Sequence, residues 1–413
     1  MEPQKLFVDL FAGCGGLSLG LLQAGWNGLF AVEKTEDAFK TLAKNLCQTK
    51  KPYCFDWPAW LPLKARTTAS LLRNYNQQLS GLSGKVDLIA GGPPCQGFSF
   101  AGRRNSDDPR NELTNEYIRI VKLIKPKLLL IENVRGFDAA FPGKRQSYAQ
   151  LVQKRLTNLR ECGYNVFSKV LLASEFGVPQ PRRRFILIAI RKDLSINDES
   201  PFDLVAKFAK ANRKKHGLGE RLTTVRDAIG DLSTRGRRMI DCEDSKGFKQ
   251  IAYRERKNAS AFQSLMRKGI KKGTSPNSLR IPNHRDQTVK RFQEILEACP
   301  KGKSLSDEFR TKFGMKKQCF TPLHPNKLAT TVTTLPDDVL HYSEPRILTV
   351  RENARLQTFP DWFEFQGRYT TGGQRRKHEC PRYSQVGNAV PPLMAKAIGS
   401  ALLSLLNEYA KKN

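Results

Sequence analysis

Strand-like apolar runs alternate with helix-like segments through the first 190 residues, and this rhythm limits the fold more than any other feature of the chain. Residues 5–10 (KLFVDL) read as a buried strand. A Gly-rich turn follows, then an apolar-periodic helix over Leu17–Ala24 that Gly25 stops. Residues 28–32 make a second strand and 86–90 a third, bounded by GGPP. The helix-like run LTNEYIRIVKLI leads to Pro126 and the strand KLLLI. A helix over about 147–162 and strands near 164–172 and 185–190 complete the series. This order implies an α/β fold, a mainly parallel sheet covered by helices on both faces. Such folds bind ligands beyond the carboxyl ends of their strands.

The residues at those ends are informative. After the first strand comes DLFAGCGG, from Asp9 to Gly16; after the second, Glu33; after the third, GGPPCQ; after the fourth, Glu132-Asn133-Val134. Glycines in the first loop permit close approach of a ligand to a helix N-terminus. Glu33 follows Gly13 by 20 residues, the spacing at which an acid reaches ribose hydroxyls in such folds. The loop is not GxGxxG, and no Lys-Ser/Thr follows it. It fits a ligand with ribose but no phosphate, such as S-adenosylmethionine; a tight structural turn is the alternative. Cys95 follows two prolines at a strand end and precedes the polar stretch QGFSFAGRRNSDDPRN. Most lone cysteines are small buried hydrophobes, but a thiol here would face the cleft. To act as a nucleophile it needs an electropositive setting. Arg182, Arg183 and Arg184 are candidates for it, or are plain surface charge.

Composition narrows the partners. The 413 residues suggest two or three domains. The formal charge of +31 favours a polyanionic partner. Residues 201–330 hold 30 Lys+Arg against 13 Asp+Glu, a bias of a whole region rather than of one helix face. No stretch approaches the roughly 18 apolar residues of a membrane span, and the N-terminus lacks the parts of a signal peptide. Nine scattered cysteines without CxxC pairs imply a reducing cytoplasm and no structural zinc.

DLFAGCGGLS, GGPPCQGFS, ENV, QPRRR and QVGNAVPP, in this order, resemble the cytosine-C5 DNA methyltransferases. The resemblance covers about 1–190 and 325–400. It implies a Rossmann-like S-adenosylmethionine-dependent core with a smaller basic target-recognition domain. The implied division is 1–195 for catalysis and cofactor, 196–330 for target recognition, 331–380 as a hinge or return segment, and 381–413 as the rest of the catalytic domain. Cys95 matches the nucleophile and Glu132 the acid that holds the cytosine. Gln180, Arg182 and Arg184 match Q-x-R-x-R, whose arginines bind near the flipped base and its phosphate. Phe11, Gly13, Gly16, Glu33, Asp56, Pro94 and Leu113 match cofactor contacts, as do Asn388 and Val390, in a C-terminal strand of that site. The helix after QVGNAVPP folds back beside the first Gly-rich turn in this family. Lys34 departs from the pattern, since the family often has an aromatic there.

The resemblance implies transfer of a methyl group from S-adenosyl-L-methionine to C5 of a cytosine in duplex DNA, through a covalent adduct of Cys95 at C6. The target atom is inaccessible in stacked DNA, so the base must flip out. The loop at about 96–112 is the expected lid, with Ser99, Arg103 and Arg104 as candidate phosphate contacts. The expected setting is cytoplasmic and nucleoid-associated, as a monomer on DNA, with a cognate restriction endonuclease in the same system. Three other readings compete: a transfer-RNA branch of the family, whose motif Cys319-Phe320-Thr321 resembles; an inactive DNA-binding relative; and a nicotinamide-dependent oxidoreductase, which PPCQ and ENV do not support. Base-edge readout would draw on residues such as Arg235, Arg237, Arg238, Asn277, Ser278 and Arg280.

Overall fold

Alternation along β1 (Leu6–Leu10) sends Val8 and Leu10 to one face and Phe7 and Asp9 to the other, and all four are fully buried. A strand covered on both sides belongs at the centre of a layered α/β sheet. The computed structural model describes residues 4–48, 53–93, 112–140, 146–194, 200–371, 375 and 379–412. They divide into a first unit of 1–172, 183–210 and 392–413 and a second of 173–182 and 211–391.

In the first unit β1 is followed by α1 (Gly16–Ala24), β2 (Asn27–Val32), α2 (Glu36–Leu46), α3 (Thr68–Asn74) and α4 (Asn76–Ser80). Next come β3 (Leu88–Gly91), α5 (Glu112–Ile124), β4 (Leu128–Val134), α6 (Tyr148–Thr157), β5 (Tyr164–Leu172), β6 (Arg183–Arg191) and α7 (Pro201–Lys215), whose last turn passes into the second unit. The six strands lie in the order β2-β1-β3-β4-β6-β5. The β1/β2, β1/β3 and β3/β4 pairs are parallel, and β4/β6 and β5/β6 antiparallel. The reversal follows from connection length, because only a short segment joins β5 to β6 and a parallel neighbour needs a longer crossover.

Val8, Leu10, Ile89, Leu129 and Ile131 form one apolar layer with Leu71, Leu79, Tyr117, Val152 and Leu156 from α3, α4, α5 and α6. On the opposite face α1 meets β1 through Ser18 and Asp9. The C-terminal helix (Pro392–Lys412) crosses α1 closely at glycine: a Cβ on Gly20 would stand 2.3 Å from Ala395 Cβ. Trp26 Nε1 donates to the Gly399 carbonyl at 2.9 Å. The chain thus returns its end to the first Gly-rich turn, as expected. One expectation is corrected: residues 382–410 do hold a stretch long and apolar enough to cross a bilayer, but 78% of it is buried, as in a core helix. The helix expected over 147–162 ends at Thr157; at its start Ser147 and Gln150 cap each other.

The second unit is organised around α12 (below) rather than a large sheet. In chain order it contains α8 (Val225–Ile229), the hairpin β7 (Met239–Asp241)/β8 (Lys249–Ile251), α9 (Ala261–Arg267), α10 (Asp286–Ala298) and α11 (Asp307–Lys312). The short parallel pair β9 (Thr321–Pro322)/β10 (Val339–Leu340), α12 (Val350–Leu356) and α13 (Arg382–Asn388) follow. Apolar side chains gather around Phe292 and Phe320, around Ile251 and Leu279, and around the packed rings of Phe359, Phe363 and Phe365. Buried arginines join them. Every residue of α12 is buried, and Arg355 makes bidentate pairs with Asp231 (2.7 and 3.0 Å) and Asp361 (2.8 and 2.7 Å). Glu352 completes the helix cap with Thr349 and receives both terminal nitrogens of Arg346 at 2.8 and 2.9 Å. Charges this deep are tolerable only when paired and hydrogen-bonded.

Candidate active site

The site begins where β1 leaves the sheet. Phe11 takes a left-handed backbone (φ 65°), uncommon for a residue with a Cβ, while its ring packs on the apolar layer. Gly13 (φ 56°) and Gly15 (φ 94°) continue the turn, and Gly16 opens α1, buried. A Cβ on Gly13 would meet nothing within 4 Å, so the turn borders open space. Glu33, at the end of β2, closes it: the Gly13 N–H donates to Oε2 at 3.0 Å and the Thr35 N–H to Oε1 at 2.7 Å. Parallel register pairs Leu10 with Val32, which brings the two strand ends together. Asp56 is exposed beside β2, its N–H bound to the Gly28 carbonyl at 2.7 Å. Leu113 is half-buried in the first turn of α5, and Lys34 is exposed.

Beneath this loop lies a group the sequence reading passed over. Asp9 is wholly buried, accepts from the Ser18 hydroxyl on α1, and its other oxygen has no hydrogen-bond partner among the described residues. Burial, with the nearby charge of Glu33, pushes its carboxyl up to about 7 despite the Ser18 hydrogen bond. The signal was available: an acid inside the otherwise apolar strand LFVDL.

A second cluster forms at the ends of β3, β4 and β6. Glu132 is nearly buried, and Arg184 Nε lies 2.8 Å from its Oε1. Gly92 permits a close approach, since a Cβ there would stand 3.2 Å from Glu132 Oε2. Asn133 donates to the Pro93 carbonyl at 3.1 Å and accepts from the Val134 N–H at 2.8 Å. The ENV segment thus holds the start of the loop that leads to the cysteine. Pro94 and Cys95 lie outside the described residues, as do Ser99, Arg103 and Arg104.

The remaining candidates belong to the second unit. Arg182 is buried, and its guanidinium donates to the carbonyls of Val332 (2.8 Å), Gly387 (2.7 Å) and Ala389 (3.4 Å). Gln180 is equally internal, bonded to Leu356 O (2.8 Å), Gln357 Oε1 (2.7 Å) and Val332 N (3.0 Å). Both brace the backbone of this unit. The expected C-terminal strand is corrected: Asn388 is the exposed last residue of α13, and Val390 follows the helix, buried. Pro391 and Pro392 cannot contribute amide hydrogens there. Of the candidate base readers, Asn277 and Ser278 are corrected too. Asn277 Oδ1 accepts from the Phe365 N–H at 3.0 Å and the Ser278 hydroxyl at 2.5 Å, and Ser278 is buried. Arg235 and Arg238 are exposed.

A family model described as C-5 cytosine-specific DNA methylase matches residues 6–404. The chain is 33% identical over 417 residues to the Type II methyltransferase M.PspPI of a Psychrobacter species, covering 100% of this chain and 82% of that one. It is 30% identical over 433 residues to M.XorII of Xanthomonas oryzae pv. oryzae, covering 98% and 86%. In three dimensions it is similar to a DNA modification methyltransferase encoded within an E. coli prophage, with TM-score 0.69 and 26% identity over 98% of this chain and 100% of that one. The S. pombe Dnmt2 methyltransferase shares the fold at TM-score 0.54 and 18% identity, covering 98% and 100%. The chain therefore belongs to the C-5 cytosine-specific DNA methylase family, as a DNA cytosine-5-methyltransferase of the bacterial modification type.

Proposed function

We propose that this enzyme methylates a cytosine flipped out of a specific duplex DNA site, through a covalent adduct between Cys95 and C6. The observation that carries the reading is the convergence of Glu132, Arg184 and the Gly92–Pro93 approach to the cysteine loop. C5 of cytosine is a poor nucleophile within an aromatic ring. The Cys95 thiolate adds to C6, and C5 becomes enamine-like. Glu132, carrying a proton, donates to N3 while its other oxygen accepts from the exocyclic amine. Arg184 holds that carboxyl in place. C5 would then take the methyl group from the sulfonium, whose sulfur leaves as a thioether, and loss of the C5 proton with departure of the thiolate restores the ring.

The first unit suits S-adenosylmethionine, which supplies an electrophilic methyl group when bound. Open space over Gly13, the half-exposed Glu33 carboxylate and the exposed Asp56 fit a nucleoside with ribose and an amino group. Glu33 would meet the ribose hydroxyls and Asp56 the adenine amine. Phe11, Gly16, Pro94 and Leu113 would line the rest. Residues 1–195 and 381–413 would carry this chemistry, 196–330 target recognition, and 331–380 the return. Work as a monomer on DNA in the cytoplasm, beside a cognate restriction endonuclease, fits the bacterial modification type.

The test is transfer of labelled methyl from S-adenosylmethionine by the purified full chain, with duplex DNA and transfer RNA as alternative acceptors. Label in duplex DNA, located by bisulfite sequencing at one recurrent site, is the expected result. Label confined to transfer RNA, or none in either, overturns the reading.

A further inference from the structure

The second unit holds an arginine enclosed by two aromatic rings and paired with no carboxylate among the described residues. Arg280 Cζ lies 4.1 Å from the ring centroid of Phe248 and 3.9 Å from that of Tyr369. Its backbone is stitched to the edge of the β7/β8 hairpin, with an antiparallel bridge to Gln250 and the Ile281 N–H on the Lys249 carbonyl at 2.8 Å. The stack continues on Tyr369 with Arg382, whose Cζ is 4.3 Å from that centroid.

The two arginines differ at their edges. Arg382 pairs with Asp244 and donates to Ser278 Oγ at 3.0 Å and the Gly367 carbonyl at 2.9 Å. The Tyr369 hydroxyl takes the other oxygen of Asp244 at 2.8 Å. Arg280 makes one side-chain hydrogen bond among the described residues, to Ser245 Oγ at 3.1 Å, and is half-buried. Withdrawing a cation from water without a counter-ion is unfavourable, and ring contacts offset only part of that cost. Of the buried arginines of the same unit, Arg346, Arg355 and Arg382 have carboxylate partners, while Arg182 and Arg351 each spread their guanidinium over backbone carbonyls. Arg280 is instead oriented in advance, its rotamer freedom already lost and its planar donor edge largely unfilled. Those properties suit binding to an external acceptor.

We propose that Arg280 is a DNA contact of this enzyme, presenting parallel N–H donors to a pair of acceptors on the duplex. The inference rests on the reading that this unit recognises DNA. Two such acceptor pairs exist on duplex DNA, phosphate oxygens and the O6/N7 edge of guanine.

Full-length R280A and R280Q, the latter keeping a planar group between the rings, are compared with the parent protein. Binding is measured on duplexes with and without the methylated site over a range of salt. A phosphate contact lowers affinity about tenfold on every sequence and reduces the log–log salt slope by about one. A guanine contact lowers it about tenfold to a hundredfold on the site alone, and bisulfite sequencing shows relaxed choice at one base pair. Either pattern supports the inference. Parental affinity, slope and site choice in R280Q overturn it, whatever R280A does to thermal stability. F248A removes one wall and leaves the charge, so it should show the same pattern more weakly. If the parent protein methylates no DNA, the functional reading fails; if it does and R280Q matches it, only the role of Arg280 fails.

Discussion

Arg184 and Glu132 face each other across the antiparallel β4/β6 pair, Nε to Oε1 at 2.8 Å. Register sets Glu132 opposite Ile186 and Val134 opposite Arg184, so Arg184 is the diagonal neighbour on the same face, within reach of its long side chain. Glu132→Gln removes the proton that the carboxyl can carry and should lower the methylation rate by roughly a hundredfold to ten-thousandfold. Arg184→Ala should also lower it, because the Glu132 carboxyl loses the contact that holds it in place. Cofactor affinity, measured by equilibrium dialysis, should change little in either. A Gln variant within a few-fold of the parent rate would remove Glu132 from the chemistry.

Cys95→Ser should abolish methylation, because a serine hydroxyl is far less ionised than a thiol. The parent protein should form a denaturant-resistant complex with duplex DNA carrying 5-fluorocytosine, since fluorine cannot leave as a proton does. Cys14→Ala and Cys162→Ala should keep at least part of the activity. Failure to trap any complex would argue against a covalent step.

Asp9 gives the fold a pH dependence of definite sign. Its carboxyl stands at about 7, against 3.8 for an ordinary aspartate, so between those values the folded protein holds a proton the unfolded chain has lost. Stability from this group falls as pH rises through that window and is level above it. Over the window the loss amounts to at most about 4 kcal/mol. Asp9→Asn is neutral throughout and should lack this loss. His341, lowered from 6.5 to about 4 chiefly by burial, acts in the opposite direction below pH 6.5. It is present in both proteins, so the parent-minus-variant difference isolates Asp9. Parallel stability curves from pH 4 to 8 would contradict this assignment.

The α1 crossing should be intolerant of side chains at one glycine more than another. A Cβ on Gly20 would approach Ala395 Cβ to 2.3 Å and Lys396 N to 2.7 Å; on Gly399, Ala24 Cβ and Leu21 Cδ2 to 3.0 Å. Overpacking costs about 1–3 kcal/mol, against a helix-propensity gain for Ala of about 1 kcal/mol. Gly20→Ala should therefore destabilise clearly and Gly399→Ala less, by thermal unfolding. The reverse order would show that the helices part more easily than the crossing suggests.

Asp231→Ala should destabilise by about 3–5 kcal/mol, because it leaves Arg355 with a broken buried pair. The same contact bears on grafting of the basic segment. An exchange confined to about 200–325 separates Asp231 from Arg355 and Asp361, and Ser233 from Glu344. Exchange of 211–371 keeps these pairs and should give the more soluble chimera, with target choice following the grafted segment in bisulfite sequencing. A chimera that is active at the recipient's original site would place target choice elsewhere.

The strands of the first 190 residues, the turn after β1 and the place of Glu33 at the neighbouring strand end were legible because each depends on neighbours close in sequence. Glu33 reaches Gly13 across 20 residues, a distance set by one helix between two parallel strands. A buried strand also declares itself by apolar residues on both faces. Antiparallel β5 and β6 were legible as strands but not in direction, which their partners decide. In the second unit little could be read in advance. Arg182 and Gln180 look in sequence like free polar residues, yet their partners lie 150 to 207 positions away. Arg355 and Arg280 read alike as basic residues; one is enclosed between two aspartates, the other between two aromatic rings. The order of strands, turns and motif residues was thus set by local spacing and hydrophobic period. Which charges brace the interior and which keep an open edge was decided only when distant segments packed, because burial and pairing belong to a side chain's surroundings and not to its type.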